Sequence, residues 1–185
     1  IHLPLQSGSD RILKRMHRSY SKDDFLILAK KIRQILPGVG ISTDIIVGFP
    51  GETEKDFLET ISVMEDVKFD SAFNFKYSPR TGTKASEYED QIIETVKQKR
   101  LEKVINLQKQ HSILRNKKLI GSIQKVLVEK QSKMSPDHWA GRTDSNKWVI
   151  FNKGKAKLNE MVNVSILDSK GVSLKGKLVS EVKAA

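Results

Sequence analysis

The 185 residues contain no cysteine. That excludes disulfides, thiolate nucleophiles and any cysteine-ligated metal built from this chain. No run approaches the ~18 consecutive apolar residues that a membrane helix needs. There is no leader pattern of basic start, apolar run and small-residue cleavage site. Neither GxGxxG nor GxxxxGK[ST] is present, so the common phosphate-loop signals are missing. The four histidines, His2, His17, His111 and His138, fall at no metal-ligand spacing, and no Ser/His/Asp constellation is legible. Internal repeats and low-complexity tracts are also lacking.

What remains is an ordinary soluble composition, 38% hydrophobic and 30% charged, with one unusual property. Lys and Arg number 33 against 22 Asp and Glu, giving a net charge of +11. Such a surplus favours an anionic partner, and phosphate backbones are the commonest one because each neutralised phosphate releases counterions. No basic amphipathic helix with a strongly apolar face points to a membrane surface. A cytoplasmic location without membrane association is expected.

The first section alternates strand and helix. Ile1–Gln6 reads as a strand, and Ser7-Gly8-Ser9 turns it into a short helix with Ile12, Leu13 and Met16 on one side. Ser21 with Asp24, and Thr53 with Asp56, are capping-box pairs that open two further helices. The apolar stripe of the first is Phe25, Leu28, Ala29, Ile32, Ile35 and Leu36, and that of the second is Phe57, Ile61 and Met64. Strands are predicted at Ile41–Val47 and Asp70–Ser78, and a long charged helix from about Ile93 to Lys118. This rhythm argues a parallel sheet with helices outside it. Beyond a boundary near Leu119 the pattern changes to short β segments, Ile123–Glu129, Trp148–Phe151, Val162–Ile166 and Leu174–Val179, which suggests a small antiparallel barrel. The chain opens directly in an apolar strand without an initiator Met, so a piece of a longer protein is expected.

Side-chain alternation gives each strand of the first section two faces. His2, Gln6, Asp44, Asn74 and Lys76 are expected on an inner, polar face, with Phe73, Phe75 and Tyr77 on the opposite one. Unpaired burial of a carboxylate or ammonium is costly. These groups should therefore meet a ligand, water or one another. In parallel α/β architectures ligands sit at the carboxyl ends of the strands. Gln6-Ser7-Gly8-Ser9, Gly48-Phe49-Pro50-Gly51-Glu52 and Tyr77-Ser78-Pro79 lie there, and Gly48 and Gly51 could permit close backbone approach. In the second section, Gly141-Arg142-Thr143 through Lys147-Trp148 to Phe151 sets basic residues beside aromatics. That suits RNA, with one of the two aromatics, Trp148 or Phe151, simply in the core.

Taken in order, His2-Leu3-Pro4-Leu5-Gln6-Ser7-Gly8-Ser9, Lys14-Arg15-Met16-His17-Arg18, Ser42-Thr43-Asp44-Ile45-Ile46-Val47-Gly48-Phe49 and Phe75-Lys76-Tyr77-Ser78 resemble the radical-SAM methylthiotransferases. Gly141-Arg142-Thr143 with Asn146-Lys147 resembles the TRAM domain that ends them. The resemblance runs through nearly the whole chain. It implies a partial TIM-like radical-SAM barrel over residues 1–118 and an OB-like TRAM domain over residues 119–185. It also implies S-adenosylmethionine bound by Gln6, Arg18, Asp44 and the backbone near Ser78, with Ser7, Ser9 and Gly48 as weaker candidates. Arg142, Lys147 and Trp148 are the implied RNA contacts. The activity implied is methylthiolation, at position two, of the isopentenyl-adenosine beside the anticodon of tRNA by a monomeric enzyme. That chemistry uses a radical-generating 4Fe-4S cluster, a second 4Fe-4S cluster for sulfur insertion and a further S-adenosylmethionine as methyl donor; the sulfur donor is not implied.

The family's cluster cysteines, CxxxCxxC among them, are absent here. The chain alone is therefore expected to bind neither cluster and to catalyse nothing. Other readings are a methylthiotransferase for threonylcarbamoyl-adenosine in tRNA, one for an aspartate of a ribosomal protein, and a non-catalytic RNA-binding module.

Overall fold

The computed structural model describes residues 1–179, and its helices begin where the polar caps dictate. After a short helix α1 (Asp10–Arg15), both expected capping boxes form. Ser21 accepts from the Asp24 amide and opens α2 (Lys22–Ile35); Thr53 accepts from the Asp56 amide and opens α3 (Glu54–Val67). In each, the aspartate carboxylate accepts in return from the cap residue's amide, so orphan donors of the first turn are satisfied reciprocally. Phe57, Ile61 and Met64 are buried on α3 as the spacing requires. On α2 only Phe25 and Ala29 are fully buried, with Ile32 packed behind them, whereas Leu28, Ile35 and Leu36 are exposed. The stripe is narrower than expected because α2 meets a single layer, and one helix face cannot bury six apolar residues against it.

The two strands of this unit, β1 (Ser42–Val47) and β2 (Ser71–Lys76), pair in parallel with Ser42 opposite Ser71 and Val47 opposite Lys76. Residues 1–6 run alongside β1 and join it only through isolated bridges at His2 and Gln6. The interruption has a local cause. Pro4 has no amide to donate, and the Leu5 amide is taken by the Thr43 hydroxyl at 3.0 Å. The ladder resumes with the Gln6 amide on the Asp44 carbonyl at 2.8 Å. A long helix α4 (Glu94–Lys117) follows. The core of this unit gathers Leu5, Ile41, Ile45, Val47, Phe57, Met64, Phe69 and Val104.

The chain divides into two units between His111 and Ser112, earlier than the boundary expected near Leu119. The last turns of α4 explain the shift: the Asn116 side-chain Nδ2 donates to the Val172 carbonyl at 3.0 Å, and Leu119 packs on the second core. That core fills a closed barrel of β3 (Ile123–Gln131), β4 (His138–Thr143), β5 (Trp148–Asn152), β6 (Met161–Lys170) and β7 (Ser173–Leu178), in the order β3-β4-β5-β7-β6. Strand β4 carries no hydrophobic alternation and was not expected. Its Gly141 is required by space, since a Cβ there would stand 2.2 Å from the Leu127 carbonyl oxygen. The barrel is not wholly antiparallel: β5 and β7 pair in parallel because the β6–β7 hairpin delivers β7 to the free edge of β5. Among the described residues no helix is long and apolar enough to cross a membrane.

The Asp56 carboxylate is buried and accepts from Ser9 Oγ at 2.6 Å, Thr53 Oγ1 at 2.5 Å, the Thr53 amide at 2.8 Å, and Arg11. Burial alone would raise its pKa, but hydrogen bonds from Arg11, Ser9 and Thr53 outweigh this and hold the carboxyl well below its ordinary range. A depressed carboxylate stabilises the fold above its unfolded pKa, and that contribution is lost as pH falls below it. Asp56→Asn is expected to lower unfolding free energy at neutral pH by roughly 1–3 kcal/mol. The variant should also flatten the loss of stability below about pH 4, both read from urea unfolding across pH; an unchanged acid limb would contradict this role.

Candidate functional site

The turn after the first extended segment is strained and clamped. Gln6 has φ 65°, and the Ser7 amide returns to the Leu5 carbonyl at 2.8 Å, a tight three-residue turn seldom adopted by residues other than glycine. Helix α3 holds it in place: the Gly8 amide donates to Thr60 Oγ1 at 2.9 Å, Ser7 Oγ lies 3.4 Å from the same hydroxyl, and Ser9 Oγ donates to Asp56. A Cβ at Gly8 would come within 2.6 Å of the Glu59 carbonyl and the Thr60 Cα, so no larger residue fits. Ser7 and Ser9 were expected on a ligand. Their side chains are instead buried and engaged with α3, because the turn must be fastened there.

Beyond the ends of β1 and β2 lies a cavity of about 640 Å³, within the range of small-molecule sites. Gln6, Arg18, Asp44 and Ser78 all line it, together with Ile46, Phe49, Phe75, Tyr77 and Tyr88. Asp44 stands on β1 with its side chain 28% exposed, and one of its oxygens is 3.2 Å from His2 Nε2. The other His2 nitrogen is 3.0 Å from Ser42 Oγ. Arg18 follows α1, its amide fixed on the Leu13 carbonyl at 2.9 Å, with an exposed side chain.

The register corrects the faces expected for β2. Asp44 is opposite Phe73 and Ile46 opposite Phe75, so these aromatics share the open face of Asp44. Phe73 and Phe75 are 56% and 51% exposed there, and Phe73 packs edge-on against His2. Asn74 and Lys76 share the face of Ile45 and Val47, and the Lys76 ammonium is bonded to Glu94 and Gln98 on α4. The wall is therefore part carboxylate and part aromatic, not uniformly polar. Phe75, Phe49 and Tyr88 are lining residues that alternation alone did not reveal; the parallel register locates Phe75, while Phe49 and Tyr88 come from loops outside both strands.

Gly48 is packed against α4. It has φ 73°, and a Cβ there would lie 2.4 Å from Lys97 Cγ. Lys97 in turn reaches the Tyr77 carbonyl at 3.2 Å, and the Tyr77 ring meets Phe49 edge-on at 5.1 Å. The Gly48 amide donates to buried Glu52 at 2.9 Å, and Glu52 pairs with Arg100 of α4 at 2.7 Å. Burial pushes the Glu52 carboxyl up, against the opposing pull of the Gly48 amide and Arg100. Gly51 is similar: its Cβ would strike the Asp90 carboxylate, which pairs with Arg15 at 2.8 Å, while Arg15 also covers the Tyr88 ring. The two glycines let α4 and the 80–90 segment close in on the cavity wall. Among the described residues there is no cluster of three or more His, Cys, Asp or Glu able to hold a metal.

In the barrel, Trp148 is half-buried while Phe151 belongs to the core. Arg142 lies opposite Trp148 across β4 and β5, with its guanidinium carbon 4.5 Å from the ring centre and its terminal nitrogen on Asn146 Oδ1 at 2.7 Å. Lys147, expected on RNA, is buried. The Asp144-Ser145-Asn146 turn, with Asn146 at φ 62°, folds back so that Thr143 Oγ1 accepts from the Lys147 amide at 3.1 Å.

Comparison with known proteins connects these features. The radical SAM superfamily matches residues 1–64 and the TRAM domain residues 117–179. The tRNA-2-methylthio-N(6)-dimethylallyladenosine synthase of Syntrophomonas wolfei is 49% identical over 98% of this chain and 41% of its own length. Those of Clostridium botulinum strain Hall and Carboxydothermus hydrogenoformans are 48% and 47% identical over 95% and 97% of the chain, and 39% and 41% of their own lengths. The chain thus spans about two fifths of the length of the curated relatives it matches. Coproporphyrinogen III oxidase from Escherichia coli, a radical SAM enzyme, superposes with a TM-score of 0.51 over 77% of this chain and 40% of its own, at 14% identity, a likeness of fold alone.

Replacing Gly48 tests the packing of the wall. Gly48→Ala adds a strained left-handed residue and displaces Lys97, and it is expected to cost roughly 1–3 kcal/mol in thermal or urea unfolding. A variant of unchanged stability would show that the wall has room to give.

Proposed function

Since the chain belongs to the radical-SAM methylthiotransferase family, we propose that it forms the S-adenosylmethionine-binding wall and the RNA-holding domain of a tRNA methylthiotransferase. Its substrate is the dimethylallyl-adenosine beside the anticodon, and its sheet is part of a TIM-like barrel. The observation that carries this reading is the cavity in which Gln6, Arg18, Asp44 and Ser78 converge with Phe49, Phe75 and Tyr77.

The cavity residues fit S-adenosylmethionine by chemistry and by size. Asp44 keeps acceptor capacity beyond its contact with His2, and a carboxylate suits the two hydroxyls of a ribose. The Arg18 guanidinium suits the methionine carboxylate, which it can engage through paired donors. The backbone around Ser78 offers an amide and a carbonyl to the adenine edge, and Phe75 and Phe49 supply apolar surface to the flat base. When bound and given one electron by an iron–sulfur cluster held outside these residues, S-adenosylmethionine would supply a 5′-deoxyadenosyl radical with release of methionine, and a further molecule would supply a methyl group. The role of this chain's own residues is to fix the nucleoside and amino-acid ends of the cofactor and to keep bulk water from the wall.

Iron–sulfur clusters do not fit the residues present. The chain has no cysteine, and the described residues hold no alternative ligand cluster. In this reading both 4Fe-4S clusters are ligated by residues outside these 185, and the chain by itself is inactive. The barrel and the net charge of +11 favour tRNA as the partner.

The complete enzyme assayed on tRNA bearing dimethylallyl-adenosine should yield the methylthio nucleoside, detected by mass spectrometry of the digested tRNA. Asp44→Ala should weaken S-adenosylmethionine binding about tenfold or more by equilibrium dialysis, the loss expected for a charge-assisted hydrogen bond. Product found only on threonylcarbamoyl-adenosine or a ribosomal protein would contradict the substrate assignment. Unaltered cofactor affinity would remove Asp44 from the site.

A further inference from the structure

Trp148 looks at first like a stacking platform for a nucleobase, but its surroundings argue otherwise. Two cations of the same barrel already lie against the ring: Lys130 Nζ is 4.3 Å and Arg142 Cζ 4.5 Å from the ring centre. Two cations held this close compete with a base for the half-buried ring. A cation held by an aromatic quadrupole, by contrast, keeps its outward N–H donors available.

The backbone is built to assemble this group. Strand β3 carries an irregularity between Val128 and Lys130, so Glu129 falls out of the ladder and Lys130 pairs with Ala140. Leu127 pairs with Arg142, and Arg142 with Trp148, placing Arg142 and Trp148 directly side by side. The small Ala140 beside Lys130 leaves room for the lysine to lean over the indole. Arg142 is steadied further by Asn146 at 2.7 Å, and Glu129 comes to 3.5 Å from its Nε. Across the same face the row continues from Ala140 to Ile150 and from Ile150 to exposed Lys175 on β7. Glu129 is the one carboxylate that contacts this group among the ion pairs of the described barrel residues.

We propose that the outer face of β3, β4, β5 and β7 is a phosphate-binding surface for RNA. In it Lys130, Arg142 and Lys175 neutralise the backbone, and Trp148 braces two of the cations instead of stacking on a base. The inference rests on the tRNA reading above and deepens it. It makes the barrel a backbone holder, indifferent to base identity, so that recognition of the modified adenosine falls to other parts of the enzyme.

The test is a double-mutant cycle in the full chain, with tRNA and a loop-scrambled RNA hairpin as probes and affinity measured across a salt series. Lys130→Ala and Arg142→Ala should each reduce the slope of log affinity against log salt by roughly 0.7–0.9. They should weaken both RNAs equally. Trp148→Leu, which keeps bulk but removes the ring, should weaken binding several-fold in the parent chain yet by less than about twofold in the Lys130→Ala/Arg142→Ala background, because the brace then has nothing to hold. A tenfold loss on removing Trp148 in that background would show base stacking and overturn the proposal, as would a loss specific to one RNA. Should Trp148→Leu fail to fold by circular dichroism, Trp148→Phe serves instead: a bracing ring retains parent affinity and salt slope, and a large loss overturns the bracing role. If the parent chain shows no salt-dependent binding to either probe, the tRNA reading itself fails, not merely the brace.

Discussion

The first unit depends on one buried carboxylate. Asp56 closes the capping box of α3 and, through Ser9 and Arg11, fastens the start of α1 to that helix. Thr60, one turn further along α3, holds the Gly8 amide. Together these bonds force the chain through the tight turn at Gln6, whose left-handed backbone would otherwise relax. Strain of this kind persists only where its surroundings over-determine it. The consequence reaches the cavity, because the turn presents Gln6 and α1 leads on to Arg18.

On the other wall the same logic runs through Glu52. Its buried pair with Arg100 and its bond from the Gly48 amide tie the loop after β1 to α4. A buried ion pair is weak evidence for stability, since desolvation offsets much of the attraction. Its value here is positional. It fixes Phe49 against Tyr77, and that pair closes the aromatic side of the cavity. Structural charges thus lie behind the wall, while Asp44 and Arg18 remain on its accessible side.

Much of this was legible in the sequence because it is local. Capping boxes depend on residues three apart, and both formed as read. The placing of Asp44 on the open face of β1 followed from alternation in one strand. The phase of β2 did not, because alternation defines two faces without saying which meets the helices. Phe73 and Phe75 look like core residues, yet the register turns them to the open face and sends Lys76 toward α4. The burial of Ser7 and Ser9 was hidden for a related reason: their partners Thr60 and Asp56 lie some fifty residues away in sequence. The burial of Lys147 was hidden because a turn residue, Asn146, reverses the chain just before it. Each miss came from a long-range pairing or a positive φ that composition does not encode.

The account stands on a nucleoside fitting the space above Asp44 and Phe75. The most direct measurement is amide NMR of the chain titrated with S-adenosylhomocysteine, which carries the adenosyl and amino-acid ends without the reactive sulfonium. Saturable shifts clustered at Gln6, Asp44, Ile46, Tyr77 and Ser78, with the barrel residues unmoved, are the expected result. Shifts that never saturate, or that map to the outer faces of α2 and α3, would contradict it.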